Sequence, residues 1–229
     1  MTGNFVKNGS FEALGSLLMT SADSQADLVL PNFGGTSKRI GNNEFTYPGE
    51  VYTDRDTKSA FYISNLLTKF IDLHKINLKD TEDFNFNINS SELVFIFGSK
   101  SNEVTQRLLD NYEVSNNFSM SFGETWTIHS NGSGENYSII NPSTLSRTEY
   151  ENTTDYGVIA RFTQVSKPGK TTFVIAGLGS RATEGCGLYF ASNWELLNAK
   201  FGDQNVAAVI LKFAPPVTPQ NYEVQEWLV

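Results

Sequence analysis

The chain has 229 residues, of which 39% are hydrophobic and 13% aromatic, so it can bury a core of useful size. It carries 17 Lys and Arg against 25 Asp and Glu, and the net charge of −8 argues against general affinity for nucleic acid or anionic membranes. Its single cysteine, Cys186, excludes an intramolecular disulfide and a cysteine-rich metal site.

The amino terminus lacks the basic-then-apolar pattern of a signal peptide, and no apolar run approaches 18 residues. The expectation is a cytoplasmic protein without a membrane segment. Residues 1–43 read as an N-terminal extension or linker. Within them Phe11 to Met19 predict a short helix, with Leu14, Leu17 and Leu18 on one side. A Ser-, Asp-, Gly- and Asn-rich stretch without a period follows, and its Gly34–Gly35 pair lacks the strand–helix context of a phosphate loop.

The regular domain is expected over residues 44–229. EFTYPGEVYTD reads as its first strand, and Asp56 or Thr57 as the cap of the next helix. Ala60, Ile63, Leu66, Leu67, Phe70 and Ile71 give that helix an apolar stripe. A short strand follows at Ile76 to Leu78, then a buried strand at Leu93 to Phe97. Gly98 turns the chain, Ser101 or Asn102 caps, and Val104, Leu108, Leu109 and Tyr112 face a second helix inward.

The middle of the chain changes character. NFSMSFGETWTIHS and ENYSIIN predict an antiparallel hairpin with its turn at Asn131 to Gly134, and 142–154 reads as a polar loop. DYGVIARFTQV is a strand that returns through SKPGK into the apolar run Thr172 to Ala176. That run breaks at Gly177, Leu178 and Gly179. Thr183 is then the expected N-cap, with Glu184 in the first turn, of a helix carrying Leu188, Tyr189, Trp194, Leu197 and Phe201. VAAVILKFA and NYEVQEWLV close the chain as strands. The order predicts an α/β three-layer sandwich, with a flavodoxin-like or Rossmann-like mixed sheet and a β-hairpin insertion.

Three strand-to-helix turns are candidates for one ligand site at the carboxyl ends of the strands. They supply Thr53, Asp54 and Arg55; Gly98, Ser99, Ser101 and Asn102; and Gly177, Gly179, Arg181, Thr183 and Glu184. Hydroxyls, two cations and helix-start amides suit phosphate or carboxylate, while Asp54 or Glu184 suits a ribose hydroxyl or an amine. Each turn is also good capping chemistry, which any α/β protein needs.

The sequence from Gly157 to Leu197, with NVAAVILKF and a closing Trp, resembles an α/β domain of unassigned function found in acidobacterial and related bacterial proteins. Such domains often stand behind winged-helix or other regulatory modules. Asp155, Tyr156, Gly169, Ala176, Gly177 and Thr183 match the family's strand, turn and helix-opening pattern, whereas Ala182, Gly185 and Cys186 depart from it. Upstream, Thr53 to Thr57 and Phe97 to Thr105 meet two further family segments, so the likeness covers roughly 48–229. It implies a sensor or effector-type domain, with 1–43 as a junction to another module, and supplies neither ligand nor catalytic residues.

Other chemistries find little support. His74 and His129 are the only histidines, no G-x-S-x-G elbow accompanies them, and no metal site is expected. Gly177, Gly179 and Gly185 are wrongly spaced for a dinucleotide fingerprint, there is no P-loop, and no cofactor is implied. Cys186 reads as a buried small hydrophobe. Capture of a small anionic or nucleotide-like ligand without turnover is the leading expectation. The alternatives are an N-glycosidic hydrolase or transferase on nucleosides or NAD, and a protein–protein adaptor. The enzyme rests on fold-level analogy, with Glu184 or Asp54 as its carboxylate. The hairpin reads as a lid or a homodimer edge, and a fused or partner regulatory module is the other expected contact.

Overall fold

The computed structural model describes residues 14–33, 37–40, 43–46, 52–86, 89, 91–110, 116–163 and 170–229. The Gly34–Gly35 pair, the start of the predicted first helix at Phe11 and most of the SKPGK turn lie outside them.

A seven-stranded mixed sheet carries the fold. Its strands are β1 (Ala26–Leu30), β4 (Ile76–Asp80), β5 (Leu93–Phe97), β9 (Asp155–Thr163), β10 (Thr171–Gly177), β11 (Val206–Phe213) and β12 (Tyr222–Leu228). Their spatial order is β12-β11-β9-β10-β5-β1-β4. From β4 to β10 the pairing is parallel, and β9, β11 and β12 continue it antiparallel. Residues of β5 and β10 are buried on both faces, as the continuous apolar runs LVFIF and TTFVIAG require.

One face is covered by α1 (Asp54–Leu67) and α4 (Ser180–Phe201). There Phe95, Phe97, Phe173, Ile175 and Val209 meet Ile63, Leu67, Phe190 and Leu197. The helices approach closely because Gly187 faces Ser59; a Cβ at Gly187 would stand 2.1 Å from Ser59 Oγ. That contact lets the Ser59 hydroxyl donate to the Thr183 carbonyl (3.1 Å) and sets the amino-terminal ends of both helices side by side.

The other face is covered by the short α2 (Glu103–Leu109) and a three-stranded antiparallel sheet, β6 (Phe118–Phe122), β7 (Thr125–Ser130) and β8 (Asn136–Ile140). Phe118, Ile128 and Ile139 are buried against it with Val174 and Ile210. Glu226 of β12 ties the insertion down, accepting hydrogen bonds from Ser130, Ser133 and Tyr137 at 2.9–3.0 Å. Arg161, fully buried on β9, donates to the carbonyls of Leu17, Phe201, Gly202 and Gln204, fastening the carboxyl end of α4. The α/β three-layer sandwich read from the sequence is the observed architecture, and the parallel strands follow the flavodoxin-like order.

Four local expectations are corrected. The boundary at residue 44 falls inside the α/β unit: β1, within the expected extension, is an interior strand between β4 and β5. The strand expected from Glu44 is not part of that sheet, because β3 (Asn43–Thr46) pairs with β2 (Ser37–Ile40) in a separate ribbon. Thr53, not Asp56 or Thr57, caps α1, accepting from the Asp56 amide at 3.0 Å. Finally, the loop at 142–154 contains a 3₁₀ turn at Pro142–Thr144 and α3 (Arg147–Glu151), whose capping box joins Ser146 and Glu149.

Candidate functional site

A cavity of about 550 Å³ opens at the carboxyl ends of β5 and β10, where the three turns converge. Thr53 and Asp56 line it from the start of α1. Gly98, Ser99, Lys100 and Ser101 line it from the β5–α2 turn, and Gly177, Leu178, Gly179, Ser180 and Thr183 from the β10–α4 turn. Trp126 of β7 and Pro142, Ser143 and Tyr150 from the segment before β9 complete the wall.

The β5–α2 turn is held open by Gly98, whose φ of +86° suits glycine. Ser99 donates its hydroxyl to the Gly177 carbonyl (2.6 Å), tying two of the turns together. Asn102 lies behind the cavity, where it caps α2 through the amides of Val104 and Thr105 and donates to the Phe97 carbonyl. The amides of Ser99, Lys100 and Ser101 meet no acceptor among the described residues. Lys100 lies 4.9 Å from the centroid of the Trp126 ring.

The β10–α4 turn is built differently. α4 begins at Ser180 and its N-cap, Gly179, has no side chain to offer, so the expectation that Thr183 caps this helix is corrected. Thr183 instead accepts the Gly177 amide (2.9 Å) and closes the strand end. The helix start is capped from β9. Asp155, fully buried, accepts from the amides of Gly179 (2.9 Å), Ala182 (3.1 Å) and Tyr156 (2.9 Å) and from the Tyr150 hydroxyl (2.8 Å). A carboxylate thus already stands where a bound anion would stand at this helix. Burial raises the pKa of Asp155, and the four donors oppose that shift. Burial, with the Asp155 charge added, raises the Tyr150 phenol so far that it stays a proton donor.

Neither expected catalytic carboxylate lines the cavity. Glu184 is buried between helices in an ion pair with Arg55, and Asp54 is exposed beside Lys58 (2.7 Å). Arg55 is consumed by that pair. Arg181 stacks 4.8 Å over the Tyr150 ring and pairs with Glu151 (2.9 Å), so it buttresses the wall. Of the predicted residues, Thr53, Gly98, Ser99, Ser101, Gly177, Gly179 and Thr183 reach the cavity; Asp54, Arg55, Asn102, Arg181 and Glu184 do not.

Asp56 is the carboxylate that does. It is 3% exposed, and one of its oxygens accepts the Thr53 hydroxyl at 2.6 Å. A Cβ on Gly98 would lie 3.6 Å from its other oxygen. Burial pushes its pKa up to about 6, and only the Thr53 hydroxyl opposes that shift. Its periodicity carried the signal: Asp56, Ala60, Ile63 and Leu67 fall on one stripe of α1, so a carboxylate sits on the buried face. Trp126 and Tyr150 had no comparable signal, because their place depends on how the insertion folds back.

Among the described residues lining the cavity, Asp56 is the sole carboxylate and Lys100 the sole cation. No group of three or more His, Cys, Asp or Glu among the described residues is arranged to hold a metal. His129 hydrogen-bonds Asn136 (2.7 Å) on the insertion, and the buried thiol of Cys186 is pushed well above its ordinary pKa. No described helix is long and apolar enough to cross a membrane. No family model, curated protein or solved structure matches the chain.

Proposed function

We propose that this protein captures a small nucleotide-like ligand in the cavity at the carboxyl ends of β5 and β10, as a sensor or effector-type domain. The supporting observation is the β5–α2 turn. Ser99, Lys100 and Ser101, whose amides meet no acceptor among the described residues, line the cavity with Trp126, and the Lys100 amine lies over the Trp126 ring. Consecutive amides and a lysine favour an anionic group, and an aromatic face favours a planar base. The volume suits a ligand of that size. A thermal-shift screen against nucleotides, cyclic nucleotides, nucleosides and NAD derivatives tests it, since a ligand of the folded state raises the melting point. Stabilisation that Lys100→Ala weakens supports the reading; no shift with any compound overturns it.

Asp56 favours a second reading, hydrolysis or transfer at an N-glycosidic bond. A buried carboxylate with a pKa of about 6 is suited to stabilising an oxocarbenium-like centre or activating water near neutral pH. It takes the role expected of Glu184 or Asp54. Release of free base from a bound nucleoside or NAD, abolished by Asp56→Asn, decides for turnover; saturable binding without release decides for capture.

A further inference from the structure

We infer that Asp56 anchors a neutral, hydroxyl-bearing part of the ligand, so that the bound molecule is a sugar with a vicinal diol and not a bare anion. The inference rests on the ligand-binding reading of the same cavity. Asp56 is buried to 3% exposure, yet among the described residues only the Thr53 hydroxyl donates to it. Capping of α1 is already supplied by Thr53, and the Asp56 amide is satisfied by that hydroxyl. The cations near it are engaged elsewhere: Arg55 with Glu184, Lys58 with Asp54 and Arg181 with Glu151. One oxygen holds the Thr53 hydroxyl and the other has no donor among the described residues; both stand beside the Gly98–Ser101 loop, 3.7 and 3.6 Å from where a Gly98 Cβ would lie. The oxygen without a donor is open to the cavity, where a ligand can supply the missing donors.

The surroundings select the donor. Of the lining hydroxyls near Asp56, those of Thr53 and Thr183 are engaged in the fold, while Ser101 Oγ meets no partner among the described residues and can pair with a second hydroxyl of the ligand. A cationic donor is disfavoured by Lys100, the one cation among the described lining residues. A bare anion in the Gly98–Ser101 loop is repelled by Asp56, because both Asp56 Oδ1 and Ser101 Oγ lie 3.6 Å from the same point beside Gly98. An anionic group attached to a diol-bearing sugar meets neither objection. The sugar donates to Asp56 and the anion reaches outward to the amides and Lys100.

Calorimetric titration at pH 7.5 with AMP, its 2′-deoxy analogue, phosphoethanolamine and inorganic phosphate tests this on the wild type and Asp56→Asn. A hydrogen bond to a charged acceptor predicts AMP binding about ten- to a hundred-fold tighter than deoxy-AMP in the wild type. In Asp56→Asn, whose fold is checked by its melting curve, that ratio collapses towards one while residual binding persists through Lys100. Equal affinity for AMP and deoxy-AMP, or a ratio unchanged by Asp56→Asn, overturns the inference and leaves the binding site standing. Tighter Asp56-dependent binding of phosphoethanolamine, which has an ammonium and no hydroxyl pair, overturns the diol. Binding of inorganic phosphate as tight as AMP overturns the anchor, and failure of all four probes overturns it as well. The broader nucleotide screen then decides separately whether the binding reading falls too.

Discussion

Two buried aspartates stand at the same edge of the sheet, each at the start of a helix, and they are provided for very differently. Asp155 receives four hydrogen bonds, three from backbone amides, and welds β9 to the first turn of α4. Asp56 receives one from a hydroxyl and borders an open cavity. Burial raises the pKa of both. A raised pKa therefore does not separate a structural carboxylate from one available to a ligand; the number of donors already aimed at it does.

The largest effect is expected at Asp155. Asp155→Ala removes the common acceptor of four donors and strands the Gly179 and Ala182 amides in the interior. The loss should be about 3–5 kcal/mol, comparable to breaking a buried charged network. Urea unfolding measures it, and a change below about 1 kcal/mol would show that the donors find other partners. Asp56→Asn should act in the opposite direction. The carboxyl has an ordinary value of 3.8 and a folded value of about 6, so the folded protein holds its proton more tightly than the unfolded chain. Its burial costs nothing below pH 3.8, and the cost grows as pH rises through 6. Asn keeps the acceptor for Thr53 without the charge, so at pH 8 the variant should gain about 1–3 kcal/mol and melt several degrees higher. At pH 4 the two proteins should melt together. A variant less stable at pH 8 would mean that Asp56 has an internal partner and belongs with Asp155.

A smaller loss is expected at Glu184→Gln. It leaves Arg55, about a third exposed, without its charge partner at the α1–α4 contact. The expected cost is about 1–2 kcal/mol, with AMP affinity unchanged because neither residue lines the cavity. Lost affinity with intact stability would return Glu184 to the site.

Much of the sheet was legible because its signals are local. LVFIF and TTFVIAG can be buried on two faces only as interior strands, and the stripe Ala60–Ile63–Leu67 fixes the inward side of α1. β1 was not legible, since ADLVL is five residues long and its neighbours β4 and β5 lie far along the chain. The meeting of the β5–α2 and β10–α4 turns could be read from strand–turn–helix order alone, whereas the Thr53 turn was assigned to a strand from Glu44 that the sheet does not contain. Asp56 could be placed inward by the stripe of α1, but which side chains face inward at the β10–α4 turn could not: Glu184 meets Arg55 from another helix, and Asp155 reaches α4 across the sheet. Both partnerships are tertiary and leave no trace in local spacing.

The smallest effect is expected at Asp54, and it is the sharpest test of the comparison because only two positions separate it from Asp56. A rotation of about 100° per residue along α1 carries Asp56 to the buried stripe and leaves Asp54 in solvent, paired with Lys58 one turn on. The Lys58 hydrogen bond lowers the Asp54 pKa, whereas burial raises that of Asp56. Asp54→Asn should leave the unfolding midpoint and the affinity for AMP unchanged within error, at low and high salt alike. Lost binding in this variant with an unchanged melting curve would move the ligand to the outer side of α1. The buried carboxylate would then be left without a function.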